Sequence, residues 1–139
     1  MAARMSTSTS PCTMAEARSR LMQARKFVEV AELCFDDDSD ESLSQVSAAL
    51  SVLAGIAASD AACCAVLKRR ARGQDHREAQ TLVSQTAPNG PAIAKDLGRL
   101  LNEKDNAHYG LMLVSRSTAQ KMLTQAKRIV ALSDEVVKR

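Results

Sequence analysis

From Ala17 onward, apolar side chains fall at Ala17, Leu21, Ala24, Val28, Ala31 and Phe35, in steps of four and three that lay one stripe along a single helix. This helix is expected to stop in the acidic run Asp36 to Glu41, where like charges repel and Asp and Ser compete for backbone hydrogen bonds. The same run places negative charge at the start of the next helix. From about Leu43 to Arg70 the chain is at its most apolar, and Val46, Ala49, Leu50, Leu53, Ile56, Ala57, Ala61, Cys64 and Leu67 predict a central helix with a broad buried face. Cations at Lys68 to Arg72 and then Gly73 read as its termination.

Asp75 and Glu78 have capping-box spacing, which opens a short third helix that ends before the turn "APNGP". His76 falls in its first turn as a surface residue. Pro91 fits the first position of a fourth helix, capped by Asn89 or Gly90, with Ile93, Leu97 and Leu100/Leu101 turned inward. Ser115 caps a fifth, which presents Ala119, Met122/Leu123, Ala126, Ile129/Val130 and Val136/Val137 on one face. No period-two strand pattern is found. The expected fold is all-α: an antiparallel bundle of four main helices plus one short helix.

Composition agrees with that pattern. Of 139 residues 45% are hydrophobic, mostly Ala, Leu and Val, with two Phe, one Tyr and no Trp, a mixture suited to close-packed helices. The length is that of one domain, expected over residues 14–139. Residues 1–13, "MAARMSTSTSPCT", are Ser/Thr-rich without the amphipathic arginine pattern of a transit peptide, and read as a disordered tail. Translation could start at Met1, Met5 or Met14.

Polar residues interrupt every apolar run short of about 20 residues, so no membrane span is expected. The four cysteines, Cys12, Cys34, Cys63 and Cys64, have no C-x-x-C or metal-ligand spacing. They read as reduced, with Cys63 or Cys64 in the core, and reduced thiols point to the cytoplasm. No motif calls for a metal or cofactor.

Charge changes the picture in one respect. Removing the acidic run from the count leaves nineteen Lys and Arg against eleven acids, so the rest of the surface is basic. Lys68, Arg69, Arg70 and Arg72 are the densest basic group and are candidates for binding a phosphate backbone.

Candidate chemistry lies in "NEKDNAHYG", Asn102 to Gly110. Extending the fourth helix places Lys104 and His108 on the continuation of its buried stripe, facing another helix, a partner or a cleft. A cation one turn away disfavours protonation of the imidazole, so His108 could take a proton from a ribose 2′-hydroxyl while Lys104 stabilises charge on the phosphate. Asp105 and Tyr109 form a second turn-spaced pair, and the tyrosine could stack on a base. The same four residues also suit a polar helix end docked at a subunit contact.

The stretch from Gly55 to Val83, with "LLNEKDNAHYG" and "VSRSTA" between Leu100 and Ala119, resembles the HEPN superfamily, in particular its small bacterial members. The resemblance covers roughly Met14 to the C-terminus. It implies an antiparallel helical bundle that forms a homodimer. In catalytic relatives it implies metal-independent RNA cleavage by an arginine followed four to six residues later by a histidine, in some cases as a toxin paired with a nucleotidyltransferase-like antitoxin. Here His108 matches the motif histidine, but Lys104 stands where the arginine would, with one fewer intervening residue, and a lysine lacks the planar bidentate fork. The expected function is therefore a non-catalytic module binding a nucleotide, RNA or a protein. The alternative is a metal-independent endoribonuclease with His108 as base, Lys104 as phosphate-stabilising cation, and Asp105 and Tyr109 in support.

Overall fold

A computed structural model of the protein describes residues 9–72 and 76–138. It is mostly helical, as the apolar spacing predicts, with helices α1 (Met14–Asp36), α2 (Ser42–Leu67), α3 (His76–Val83), α4 (Gly90–Asn102), α5 (Lys104–Tyr109) and α6 (Arg116–Lys138). Two three-residue strands accompany them, β1 (Thr9–Pro11) and β2 (Arg69–Ala71), paired antiparallel with Ser10 opposite Arg70.

The stripe on α1 is buried at Ala17, Leu21, Ala24 and Ala31, and half-buried at Val28 and Phe35. Its start is a complete capping box. Thr13 accepts from the Glu16 N–H at 3.1 Å, and Glu16 accepts from the Thr13 N–H at 2.8 Å. The acidic run after α1 forms two tight polar turns. Asp37 accepts from the N–H and hydroxyl of Ser39, and Asp40 from those of Ser42, the first residue of α2. Those bonds hold both carboxyls below their ordinary range.

Helix α2 is central, packing against α1, α3, α4, α5 and α6. Its buried surface differs from the expected face: Val46 and Leu53 are partly open to solvent, while Ser47, Ala48, Ser51, Ala54 and Gly55 are sealed. The reason is close approach. A helix enclosed on several sides needs small residues where neighbours come nearest, and the hydroxyl of Ser47 donates to the carbonyl of Ala31 on α1 at 2.8 Å. At Gly55 an added Cβ would lie 2.5 Å from Leu100 Cδ1 and 3.3 Å from Ile129 Cδ1. By length and composition α2 could cross a membrane, contrary to the sequence expectation. In the bundle, however, 67% of its apolar window is buried, the setting of a core helix.

Side-chain pairs give the helix directions. Arg20 meets Asp60, and Ser47 meets Ala31, so α1 and α2 run oppositely. Arg25 with Asp134, Lys127 with Glu32, and Arg116 with the Phe35 carbonyl set α6 against α1 in the same sense. The Arg116 guanidinium also sits 4.0 Å over the Phe35 ring, a cation at the C-terminal end of α1. Arg128 on α6 grips the buried Asp96 of α4 with two bonds of 3.0 and 2.9 Å. Ser115 caps α6 as expected, accepting from the Thr118 N–H at 3.1 Å.

Two expectations are corrected. Residues 9–13 are not a disordered tail. They form β1, the capping Thr13 and the buried Cys12, which is joined to Cys64 by a disulfide with its Cα atoms 5.4 Å apart. Residues 1–8 of that tail lie outside the described residues. Cys12 and Cys64 are thus not reduced, and the argument from reduced thiols to a cytoplasmic location goes with them. Pairing of β1 with β2 brings the two cysteines together across 52 residues of sequence, a proximity that no local spacing encodes. Cys63 and Cys34 are free, and Cys63 packs in the main core as predicted. Helix α2 also ends earlier than expected, at Leu67, because Lys68 turns left-handed with φ 59° and the next three residues extend as β2. The expected cap Asp75 lies outside the described residues; His76 is the first residue of α3 and is half-buried.

Candidate functional site

The N-terminal end of α2 and the segment 103–115 form one unit. Sequence spacing carried the α4 stripe straight through His108, but the chain breaks at Glu103 (φ −101°, ψ 0°), whose N–H donates back to Leu100 O at 3.0 Å, the tightened turn of a helix end. Helix α5 then starts at Lys104. Gln45 of α2 fastens it. The Gln45 amide donates to the carbonyls of Asn106 and Ala107 at 2.7 and 2.5 Å and accepts from the Val114 N–H at 2.6 Å. One side chain therefore gives a donor to the Ala107 carbonyl, adds a second donor to that of Asn106, which also accepts from the Gly110 N–H at 3.2 Å, and anchors the loop beyond.

On this unit Lys104 and His108 stand within one turn. Lys104 is half-buried, its ammonium 3.9 Å from the exposed Asp105 carboxylate. Nε2 of His108 is sealed from solvent and has no hydrogen-bond partner among the described residues. The His108 ring lies 5.8 Å from that of Tyr109, tilted 50°. A base must reach the proton it takes at about 2.6–3.2 Å. With Nε2 inside the protein, that atom is out of reach of a substrate approaching from solvent.

What this unit does present is apolar surface. Tyr109, Leu111, Met112 and Leu113 are 75, 102, 82 and 48% exposed. Leu111 is thus as open as in an extended peptide. Val114, next in sequence, is buried beside the Gln45 anchor.

The basic candidates lie elsewhere. Lys68, Arg69, Arg70 and Arg72 are all exposed at the far end of α2. At about 1.5 Å per residue, roughly 35 Å of helix separates Gln45 from Lys68. The structure therefore does not bring the basic group and the α5 residues into one site.

The far end of α2 holds a second feature. Asp60 is the lone charged residue within α2 and is 5% exposed. Arg20 donates to one of its oxygens through Nε and Nη2 at 3.3 and 3.2 Å, and Nη1 of Arg20 reaches Gln23 at 2.6 Å. Burial pushes the Asp60 carboxyl above its ordinary value, and Arg20 and more weakly Arg70 pull it back. Beside it lies a cavity of about 380 Å³ lined by Cys12, Glu16, Ser19, Arg20, Gln23, Cys64 and Arg70. Sequence reading passed over Gln45, Asp60 and the apolar loop. The signals were a lone acid in an apolar helix and the run "LMLV" between two helices.

No protein-family model matches the chain, and no curated protein matches it.

Proposed function

We propose that the protein is a non-catalytic, HEPN-like binding module that pairs with a second copy of itself through Tyr109 and Leu111–Leu113. The observation that carries this reading is the exposure of four large apolar side chains on a segment fastened to the central helix by Gln45. The resemblance of "LLNEKDNAHYG" to HEPN proteins supports the antiparallel bundle and the homodimer, since members of that family commonly dimerise. In the pair, Lys104 and His108 flank the contact as its polar rim.

A second reading, metal-independent RNA cleavage by Lys104 and His108, draws on the spacing of the two residues on one turn and on the unpaired His108 Nε2. It requires the ring to turn outward. Incubation of RNA in the presence of a chelator, comparing wild type with Lys104→Ala and His108→Ala, separates the two. The binding-module reading expects intact RNA in all three samples. Cleavage by wild type that is lost in both variants establishes the nuclease, with or without an antitoxin partner. RNA affinity, if measured, should depend on Lys68, Arg69, Arg70 and Arg72, with a log–log salt slope of about −0.7 per phosphate contact for single strands.

A further inference from the structure

Apart from Arg70, a candidate phosphate contact, the cavity at the disulfide end is built from groups that the binding-module reading leaves unused. One wall is the Cys12–Cys64 bond, and the others are Glu16, Ser19, Arg20, Gln23 and Arg70. Its volume of about 380 Å³ falls at the small end of the range for small-molecule sites. We propose that the Cys12–Cys64 disulfide is a thiol-exchange site, entered from this cavity by a low-molecular-weight thiol that carries a carboxylate.

The charges around the cavity indicate the ligand's anionic group. Arg20 is committed to Asp60 and Gln23, whereas Glu16, one oxygen of which accepts from the Thr13 N–H, keeps its negative charge on the wall, so the anionic group can be held only on the Arg70 side. Arg70 is exposed, and its guanidinium donates to the neighbouring Ala71 carbonyl at a long 3.4 Å, which leaves donors directed at whatever fills the cavity. A carboxylate of the incoming thiol pairs with Arg70 and sets the sulfur against the disulfide.

The sulfur attacked is that of Cys12. Cys12 is 8% exposed against 1% for Cys64, and it belongs to the short segment ahead of α1, whereas Cys64 is built into α2. The incoming thiolate forms a bond to Cys12 Sγ as the Cys12–Cys64 bond breaks; the electron pair of that bond leaves on Cys64 Sγ, which takes a proton from water. The products are a mixed disulfide on Cys12 and a free Cys64 thiol, with no net change in oxidation. The adjacent Cys63 cannot supply the nucleophile internally, because burial, reinforced by the charge of Asp60, pushes its thiol up to about 12. Exchange leaves β1 held to β2 by its three-residue ladder and the Cys12 N–H to Lys68 O bond of 2.9 Å.

The test uses the full oxidised chain in native buffer with reduced glutathione, a thiol tripeptide with two carboxylates, quenched with acid and read by intact mass and peptide mapping. Cysteamine, a thiol without a carboxylate, is the comparison. The expected result is one glutathionyl group on Cys12, formed faster than the cysteamine adduct and roughly two- to fivefold more slowly in Arg70→Ala, the size of a partly exposed charge contact. Arg70 is at the surface, so this variant is expected to fold, and its helical circular dichroism checks that. Amide exchange at residues 9–11 and 69–71 should rise in the adduct. The proposal is overturned if the bond yields to thiol only after denaturation, if the adduct forms elsewhere than Cys12, or if purified protein lacks the bond. Equal rates for the two thiols, unchanged by Arg70→Ala, overturn the assignment of Arg70.

Discussion

The two ends of α2 are built on opposite principles. At its C-terminal end a disulfide, a buried carboxylate with its arginine and a two-stranded ladder tie β1, α1 and α2 together. At its N-terminal end one glutamine side chain holds α5 and the loop beyond it, and large apolar residues stand in solvent. The first end is closed on itself, apart from its cavity. The second leaves its apolar residues open. Residue types that look reactive, Lys104, Asp105, His108 and Tyr109, sit at that open end.

The contrast predicts unequal responses to mutation, largest at the closed end. Replacing Cys12 and Cys64 together by alanine removes a cross-link closing a loop of 52 residues, and the chain-entropy relation then gives a loss of about 4 kcal/mol. A lower urea midpoint would report it, with a steeper slope because the unfolded chain without the cross-link exposes more surface. A midpoint within error of wild type would mean that the bond adds nothing to the fold.

At the open end, Gln45→Ala deprives the Ala107 carbonyl and the Val114 N–H of the Gln45 bond, at a cost of about 1–3 kcal/mol for a buried group left unsatisfied, while the Asn106 carbonyl keeps the Gly110 N–H. Amide exchange should quicken over residues 104–114 and stay slow over the Thr9–Pro11 strand. Uniform quickening would show that the two ends are not separate.

The ends also differ in their response to acid. Burial raises the Asp60 carboxyl, so the folded state binds its proton more readily than the unfolded chain, and protonation favours folding. Wild type should therefore gain stability relative to Asp60→Asn as pH falls from neutral through the raised value toward the ordinary 3.8. Asp37 and Asp40, beside the open end, are held below 3.8 by Ser39 and Ser42, so their contribution is present above 3.8 and lost as pH falls through the lowered values. Both are fully exposed, and this loss should be the smaller effect. Urea midpoints of wild type, Asp60→Asn and Asp37→Asn across acid pH check both signs.

Most helices were legible in the sequence because apolar spacing and caps are local: Ala17 to Phe35 and the Ser115 cap lie where the pattern puts them. The capping box of Thr13 and Glu16 was legible too, but the expectation of a tail hid it. The disulfide depends on β1 meeting β2, a contact between distant segments with no local signature. Helix α2 misled in a different way. Its apolar residues surround it, so spacing could not choose a face, and the closest packing falls on Ser47, Ser51 and Gly55, which hydropathy scores as polar or neutral. At the candidate site, the period of α4 extended through Glu103 on paper, whereas the helix breaks there and Gln45 holds the end of α5. A helix break held by a side chain 61 residues away in sequence is a tertiary event.

The central claim is that Tyr109 and Leu111–Leu113 cover one another in a pair of chains. Sedimentation velocity on wild type beside the double variant Leu111→Glu, Met112→Glu tests it most directly. Both sites are on the surface, so stability should move by no more than about 0.5 kcal/mol. The account predicts a dimer for wild type and a folded monomer for the variant. A monomeric wild type, or a variant that dimerises as well as wild type, would contradict it.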